Sequence, residues 1–334
     1  MWTQPMPAGL AEQARRFYAE GGTPVVPRRA ATVVLLRDAP GGPEAFLVRR
    51  RSTMPFASGM YAFPGGGVDP RDGVDPGNGA DRRGDAGAGD GTDPRDAAGP
   101  RDGAGPREGA GPRDAAGPRD AAGPRDGAGP RGGTAATGSP WIGPDPQAWA
   151  RLLGLPGEVR TAREVVAAAV REMFEETGVL FAGADRHSLV GDVDSADWAA
   201  ARLSLVERRV SLSELLSGRR LSMRADLLHA WARWITPEFE PRRYDTFFFL
   251  AELPAGQTAR EVGGEADRVV WVRPADALAG HAAGELGMLP PTVAVLRSLS
   301  GFERVAAALA APAPSLVPVQ PRVEWHGGGA RLVL

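Results

Sequence analysis

The 334-residue chain has no cysteine and no lysine, and all 39 of its basic residues are arginine. Without thiols there can be no disulfide, no zinc–thiolate site and no cysteine nucleophile; a reducing, cytoplasmic location is expected. Histidine is scarce, confined to His187, His229, His281 and His326, and the G-x-S-x-G nucleophile pattern is absent, so a serine–histidine hydrolase is poorly supported. The sequence has no run of about 18 apolar residues, and its first 29 residues lack a basic start followed by an apolar core. Neither a membrane span nor a signal peptide is expected. An excess of one charge is missing too: 39 basic and 41 acidic residues give a net charge of -2, which removes the bulk-charge argument for nucleic acid or an anionic membrane surface as partner.

What is present suffices for a core, since 43% of the residues are hydrophobic. Residues 31–37 and 44–48 are apolar and rich in strand formers, and Pro40-Gly41-Gly42-Pro43 between them predicts a β-hairpin. Between about residues 70 and 140 the composition changes. Pro94, Pro100, Pro106, Pro112, Pro118, Pro124 and Pro130 recur every six residues in units such as Gly-Pro-Arg-Asp-Ala-Ala. Such units interrupt helices and strands and carry no large apolar side chain, so they predict a disordered, nearly neutral insertion rather than a solenoid. Beyond it the patterning predicts a short helix near residues 146–155, a long one over 162–176, a mainly helical stretch over 194–232, strands at 246–250 and 268–272, a helix starting at 274–278, and a last core helix over 291–299. The expected organisation is one domain over residues 28–310, interrupted by the insertion at 73–140 and followed by an extended tail over 311–334.

At 100° per residue, Glu172, Glu175 and Glu176 share about 100° of the long helix, whereas Val166, Ala169, Val170 and Met173 gather on another face. Carboxylates so spaced repel one another unless a cation lies among them, and hard oxygen donors suit Mg2+ or Mn2+. A solvated acidic face would show the same spacing, and the helix alone does not separate the two readings.

Context does. Residues 171–180 read R-E-M-F-E-E-T-G-V-L and residues 63–69 read F-P-G-G-G-V-D. Joined, they resemble the Nudix box, G-x5-E-x7-R-E-U-x-E-E-x-G-U with U a bulky aliphatic residue, split by the repeat. Closing so long a loop adds only about 2 kcal/mol over a short one. The split layout, together with residues 234–237 (W-I-T-P), 241–250 (P-R-R-Y-D-T-F-F-F-L) and 281–286 (H-A-A-G-E-L), is similar to the superfamily branch that includes coenzyme A diphosphatases of the peroxisomal type. Two departures stand out. Counting forward from Gly66 puts Asp72 at the first Glu of the box, whereas counting back from Arg171 gives Arg163, with Glu164 one residue late. Pro55 stands where the coenzyme A signature of another Nudix branch has Arg, although its Gly is matched by Gly59.

The resemblance implies a mixed sheet sandwiched between helices (α+β), with the 194–232 segment as a helical elaboration. It implies a Mg2+ or Mn2+ site with Glu175 and Glu176 as principal ligands, Glu172 as a further ligand or general base, and Gly66 allowing close approach at the metal. Arg171 would brace a carboxylate, with Gly65 and Gly178 in supporting places, and Glu265 would supply a further ligand or base. Arg242 and Arg243 are candidates for substrate phosphate, with surface ion pairs as their alternative. The implied activity is hydrolysis of a diphosphate bond in a small nucleoside-diphosphate-linked substrate, coenzyme A or acyl-coenzyme A being the favoured example. NADH, ADP-ribose or a dinucleotide keeps the fold and changes the substrate, and a noncatalytic binding module keeps only the fold.

Overall fold

The computed structural model describes residues 3–53, 57–73, 141–312, 316–327 and 329–334, all within a compact unit formed by residues 1–79 and 138–334. In chain order its elements are β1 (Thr3–Pro5), α1 (Ala8–Ala19), β2 (Arg28–Ala39), β3 (Gly42–Arg50), β4 (Tyr61–Ala62), β5 (Gly65–Gly67), a 3-10 turn (Pro70–Gly73), β6 (Trp141–Ile142), α2 (Pro146–Leu152), α3 (Val159–Thr177), β7 (Ala182–Gly183), α4 (Ala196–Val206), α5 (Leu212–Gly218), β8 (Ser222–Arg224), β9 (His229–Ile235), β10 (Tyr244–Glu252), β11 (Ala266–Val272), α6 (Pro274–Ala282), α7 (Pro290–Leu299), α8 (Val305–Ala310), β12 (Arg322–His326) and β13 (Gly329–Val333). The repeat falls outside the described residues.

The central sheet has the order β11-β3-β2-β10-β9, with β4 added beside β3 and β5 beside β2. It is mixed: β10 runs parallel to β2, and the remaining pairs are antiparallel. The expected hairpin is its centre, with Leu36 opposite Ala45 and a turn at Gly41, whose φ of +95° suits a residue without Cβ. Because side chains alternate across a strand, each central strand supplies both cores. Ala31, Val33 and Leu35 of β2, Phe46 of β3, and Phe247 and Phe249 of β10 join α2 and α3 on one side. Val34, Leu36, Leu47, Phe248 and Leu250 join α6, α7 and α8 on the other. This is the sandwich of helices about a mixed sheet.

Helix α3 is buried through residues 165–170 on nearly every side, which its small Ala and β-branched Val side chains permit. It stops at Gly178, whose left-handed φ of +76° lets the Gly178 amide donate to the Phe174 carbonyl. Ser195 and Ser211 cap α4 and α5, the latter through a capping box with Glu214.

Three expectations change. The 194–232 stretch is helical only through α4 and α5; residues 222–224 and 229–235 are strands, because β8 pairs with β6 and β7 and β9 takes the sheet edge beside β10. A further core helix, α8, follows α7 and buries Val305 and Ala308. Within the 311–334 stretch, residues 322–326 and 329–333 are paired strands: β12, β13 and β1 form a second sheet against α1, with Ala14, Phe239 and Leu332 as its core.

Candidate active site

Strand β5 lays the glycines along the start of β2, Gly65 opposite Thr32, Gly66 opposite Ala31 and Gly67 opposite Ala30. α3 crosses above and brings the two halves of the split motif together. A Cβ on Gly66 would lie 2.6 Å from the Glu172 carboxylate, so any other residue there would displace that carboxylate. The Gly65 amide donates to Glu176 Oε2 at 3.1 Å.

Arg171 holds this junction. Its Nε and Nη2 donate to the two Asp72 oxygens at 2.8 and 3.0 Å, its Nη2 also to the Gly67 carbonyl at 2.8 Å, and its Nη1 to Glu172 at 2.8 Å and Glu175 at 3.3 Å. Asp72 is almost inaccessible, its side chain 3% exposed, and it also accepts the Asp69 amide. Counting forward from Gly66 therefore identifies the acid that meets the box arginine. Glu164 is otherwise engaged, bonded to Arg160 and packed where a Cβ of Gly73 would be.

The acids feel their surroundings strongly. Burial pushes the Glu172 carboxyl up to about 7, against the opposing pull of Arg171 and with help from Glu175. Burial also raises Glu175. Glu176 is held well above the ordinary range by burial, then by the charges of Glu172 and Glu265. A cation among these groups would relieve the cost, and three hard oxygen donors fit Mg2+ or Mn2+. Among the described residues, however, no three acidic or imidazole groups converge as a ready-made metal cluster; Arg171 and the Gly65 amide hold the oxygens instead.

Beside Glu176 lies a narrow recess, with a cavity volume of only about 10 Å³, lined by Val48, Arg50, Glu176, Glu261, Gly263, Glu265 and Ala266. Glu265, expected from its place ahead of a strand, thus shares a cavity with a box glutamate. Glu261 and Arg50 carried no local signal, because β3 and the loop before β11 meet only through the antiparallel β3–β11 pairing. Arg243 lies elsewhere. It is buried, and its guanidinium donates to the carbonyls of Thr236 and Val25, binding the start of β10 to the segment before β2. Arg242 is exposed next to it.

Residues 145–299 match the family model described as the NUDT19 Nudix domain. The chain is 32% identical over 133 residues to a putative nudix hydrolase 7 of Caenorhabditis elegans, covering 40% of this chain and 43% of that protein. It is 28% identical over 160 residues to the acyl-coenzyme A diphosphatase NUDT19 of Xenopus laevis, covering 44% and 41%. It therefore spans less than half the length of these curated relatives. Among solved structures, a NUDIX hydrolase from Alicyclobacillus acidocaldarius superposes with a TM-score of 0.56 at 23% identity, over 86% of this chain and 98% of that one, and so shares the fold.

Proposed function

The chain belongs to the Nudix hydrolase superfamily, and from that premise we propose that it hydrolyses a diphosphate bond in a small nucleoside-diphosphate-linked substrate with Mg2+ or Mn2+. The observation that carries the reading is the meeting of Glu172, Glu175 and Glu176 with Gly65–Gly67 across the split, held by Arg171 and Asp72. Glu172, Glu175 and Glu176 would hold the ion, and a bound divalent ion supplies charge neutralisation at the phosphoryl oxygens and a more acidic attacking water. The chain's own part is positional. Arg171 keeps Glu172 and Glu175 on the glycine side of α3, and Gly66 leaves room for the Glu172 carboxylate. Glu265, exposed at the recess beside Glu176, would take a proton from the attacking water.

Coenzyme A or acyl-coenzyme A is the favoured substrate, on the similarity to a relative named for that activity. Pro55 in place of the signature Arg favours a second reading within the same chemistry, NADH, ADP-ribose or a dinucleotide. The proposed setting is the cytoplasm; among the described residues no helix is long and apolar enough to cross a membrane. The test is turnover of coenzyme A, acyl-coenzyme A, NADH, ADP-ribose and a dinucleotide with Mg2+ or Mn2+, with product masses locating the cut, for wild type, Glu175→Gln and Glu176→Gln. Cleavage at a diphosphate that both variants lose is expected. A folded wild type that cleaves none with either ion would overturn the hydrolase reading in favour of a binding module.

A further inference from the structure

The side chains of Glu175 and Glu176 project from the last turn of α3, where backbone carbonyls lack partners within the helix and the chain tends to fray. Here three consecutive carbonyls are taken. Thr177 accepts the Arg260 amide at 3.1 Å, Glu176 accepts the Val262 amide at 3.1 Å, and Glu175 accepts Arg202 Nη1 at 3.4 Å. The same Nη1 donates to the Val262 carbonyl at 2.8 Å. Arg202 comes from α4, which lies outside both halves of the box, and it ties the end of α3 to the loop that carries Glu261 and Glu265. The loop is pressed close: a Cβ on Gly263 would approach the Glu176 Cα to 3.3 Å. A cation at this place also faces the negative end of the helix dipole.

We infer that Arg202 is a positioning residue for the active site, setting the backbone of Glu175 and the height of the 260–265 loop together, so that the end of α3 and Glu265 keep their relative places, with Glu176 and Glu265 on one recess. This rests on the hydrolase reading above for its catalytic consequence, but not for its structural one. Arg202 touches no reacting group. It acts through two carbonyls, and its loss would loosen the metal-ligand candidates and the candidate base in one step.

The test compares wild type, Arg202→Met, which keeps the apolar stem without the donors, and Arg202→Lys, which restores a donor and the charge. Three quantities are read: Mn2+ affinity by electron paramagnetic resonance, hydrogen exchange at the Val262 amide, and kcat against KM on whichever diphosphate the wild type cleaves. Arg202→Met is expected to weaken Mn2+ binding and lower kcat by about 10-fold or more, with KM little changed, and Arg202→Lys to recover most of the loss. Val262 exchange should accelerate in step with the Mn2+ loss, and the kcat effect should be less than additive with Glu265→Gln. Should Arg202→Met not fold, Arg202→Gln takes its place under the same thresholds. Mn2+ affinity and Val262 exchange both within about twofold of wild type would overturn the inference. A wild type without turnover would sink the hydrolase reading alone, since the Mn2+ and exchange measurements still decide the role of Arg202.

Discussion

Removing Asp72 should unfasten the two halves of the split motif. The pair it makes with Arg171 is bidentate and buried, with side-chain exposures of 3% and 13%. Breaking a buried pair from one side costs about 3–5 kcal/mol, because the remaining charge is left without its partner. Arg171 keeps Glu172, Glu175 and the Gly67 carbonyl, which places Asp72→Ala at the lower end, about 3 kcal/mol. With a urea slope of about 1–3 kcal/mol/M, the unfolding midpoint falls by roughly 1 M or more. Asp72→Asn preserves the shape and should cost less. Arg171→Met combined with Asp72→Ala should cost clearly less than the sum of the single changes, by about 1 kcal/mol or more, because neither charge is then stranded. Equilibrium urea unfolding of wild type, Asp72→Ala, Asp72→Asn, Arg171→Met and the double variant measures this. Strict additivity, or a loss below about 1 kcal/mol for Asp72→Ala, would refute the view that this pair joins the halves.

Glu172 binds its proton more tightly folded than unfolded, so between the ordinary value of 4.5 and about 7 the metal-free protein should lose stability as pH rises, by roughly 3 kcal/mol from this group. Urea unfolding across pH 4.5–8 should show the slope, Glu172→Gln should lessen it while the raised Glu175 and Glu176 keep part of it, and saturating Mg2+ should reverse it; a flat profile for metal-free wild type would rule out the buried-charge account. Gly66→Ala drives a methyl group into the Glu172 carboxylate and should weaken Mn2+ binding about 10-fold or more in a folded protein, as titration with far-UV circular dichroism as the folding control can establish. The ends of the insertion are both held by neighbouring residues of α3, Gly73 against Glu164 and Trp141 under the Arg163 guanidinium. Replacing residues 74–139 by about eight Gly/Ser residues, which reach roughly 26 Å, should therefore preserve turnover within about threefold; loss of activity in a folded variant would assign the repeat a catalytic part.

Much of the site was legible in the chain itself. The grouping of Glu172, Glu175 and Glu176 follows from helical period, Gly178 from the stop signal after Thr177, and the hairpin from a turn between apolar runs; all are local, set within a few residues. The box resemblance extended this to Gly65 and Gly66. Other features depended on partners far away in sequence. The HAWARWI segment begins inside a stretch whose patterning predicts helix and becomes a strand because β10 offers it an edge, and the β12–β13 hairpin gains its third strand only from β1 at the other end of the chain. Counting forward gave Asp72 and counting back gave Arg163 with Glu164 one residue late, and only the crossing of α3 over β5 gave Arg171 to Asp72. Arg202, Glu261 and Arg50 left no local mark, since Arg202 reaches the α3 terminus and the 260–265 loop through hydrogen bonds spanning 27 and 60 residues, and the loop meets α3 and β3 through partners still farther off in sequence. The sequence by itself determined which residue types could hold a divalent ion and on which helix; the tertiary structure decided which acid braces them and which loop faces them, because burial and pairing across the chain assign partners that periodicity cannot.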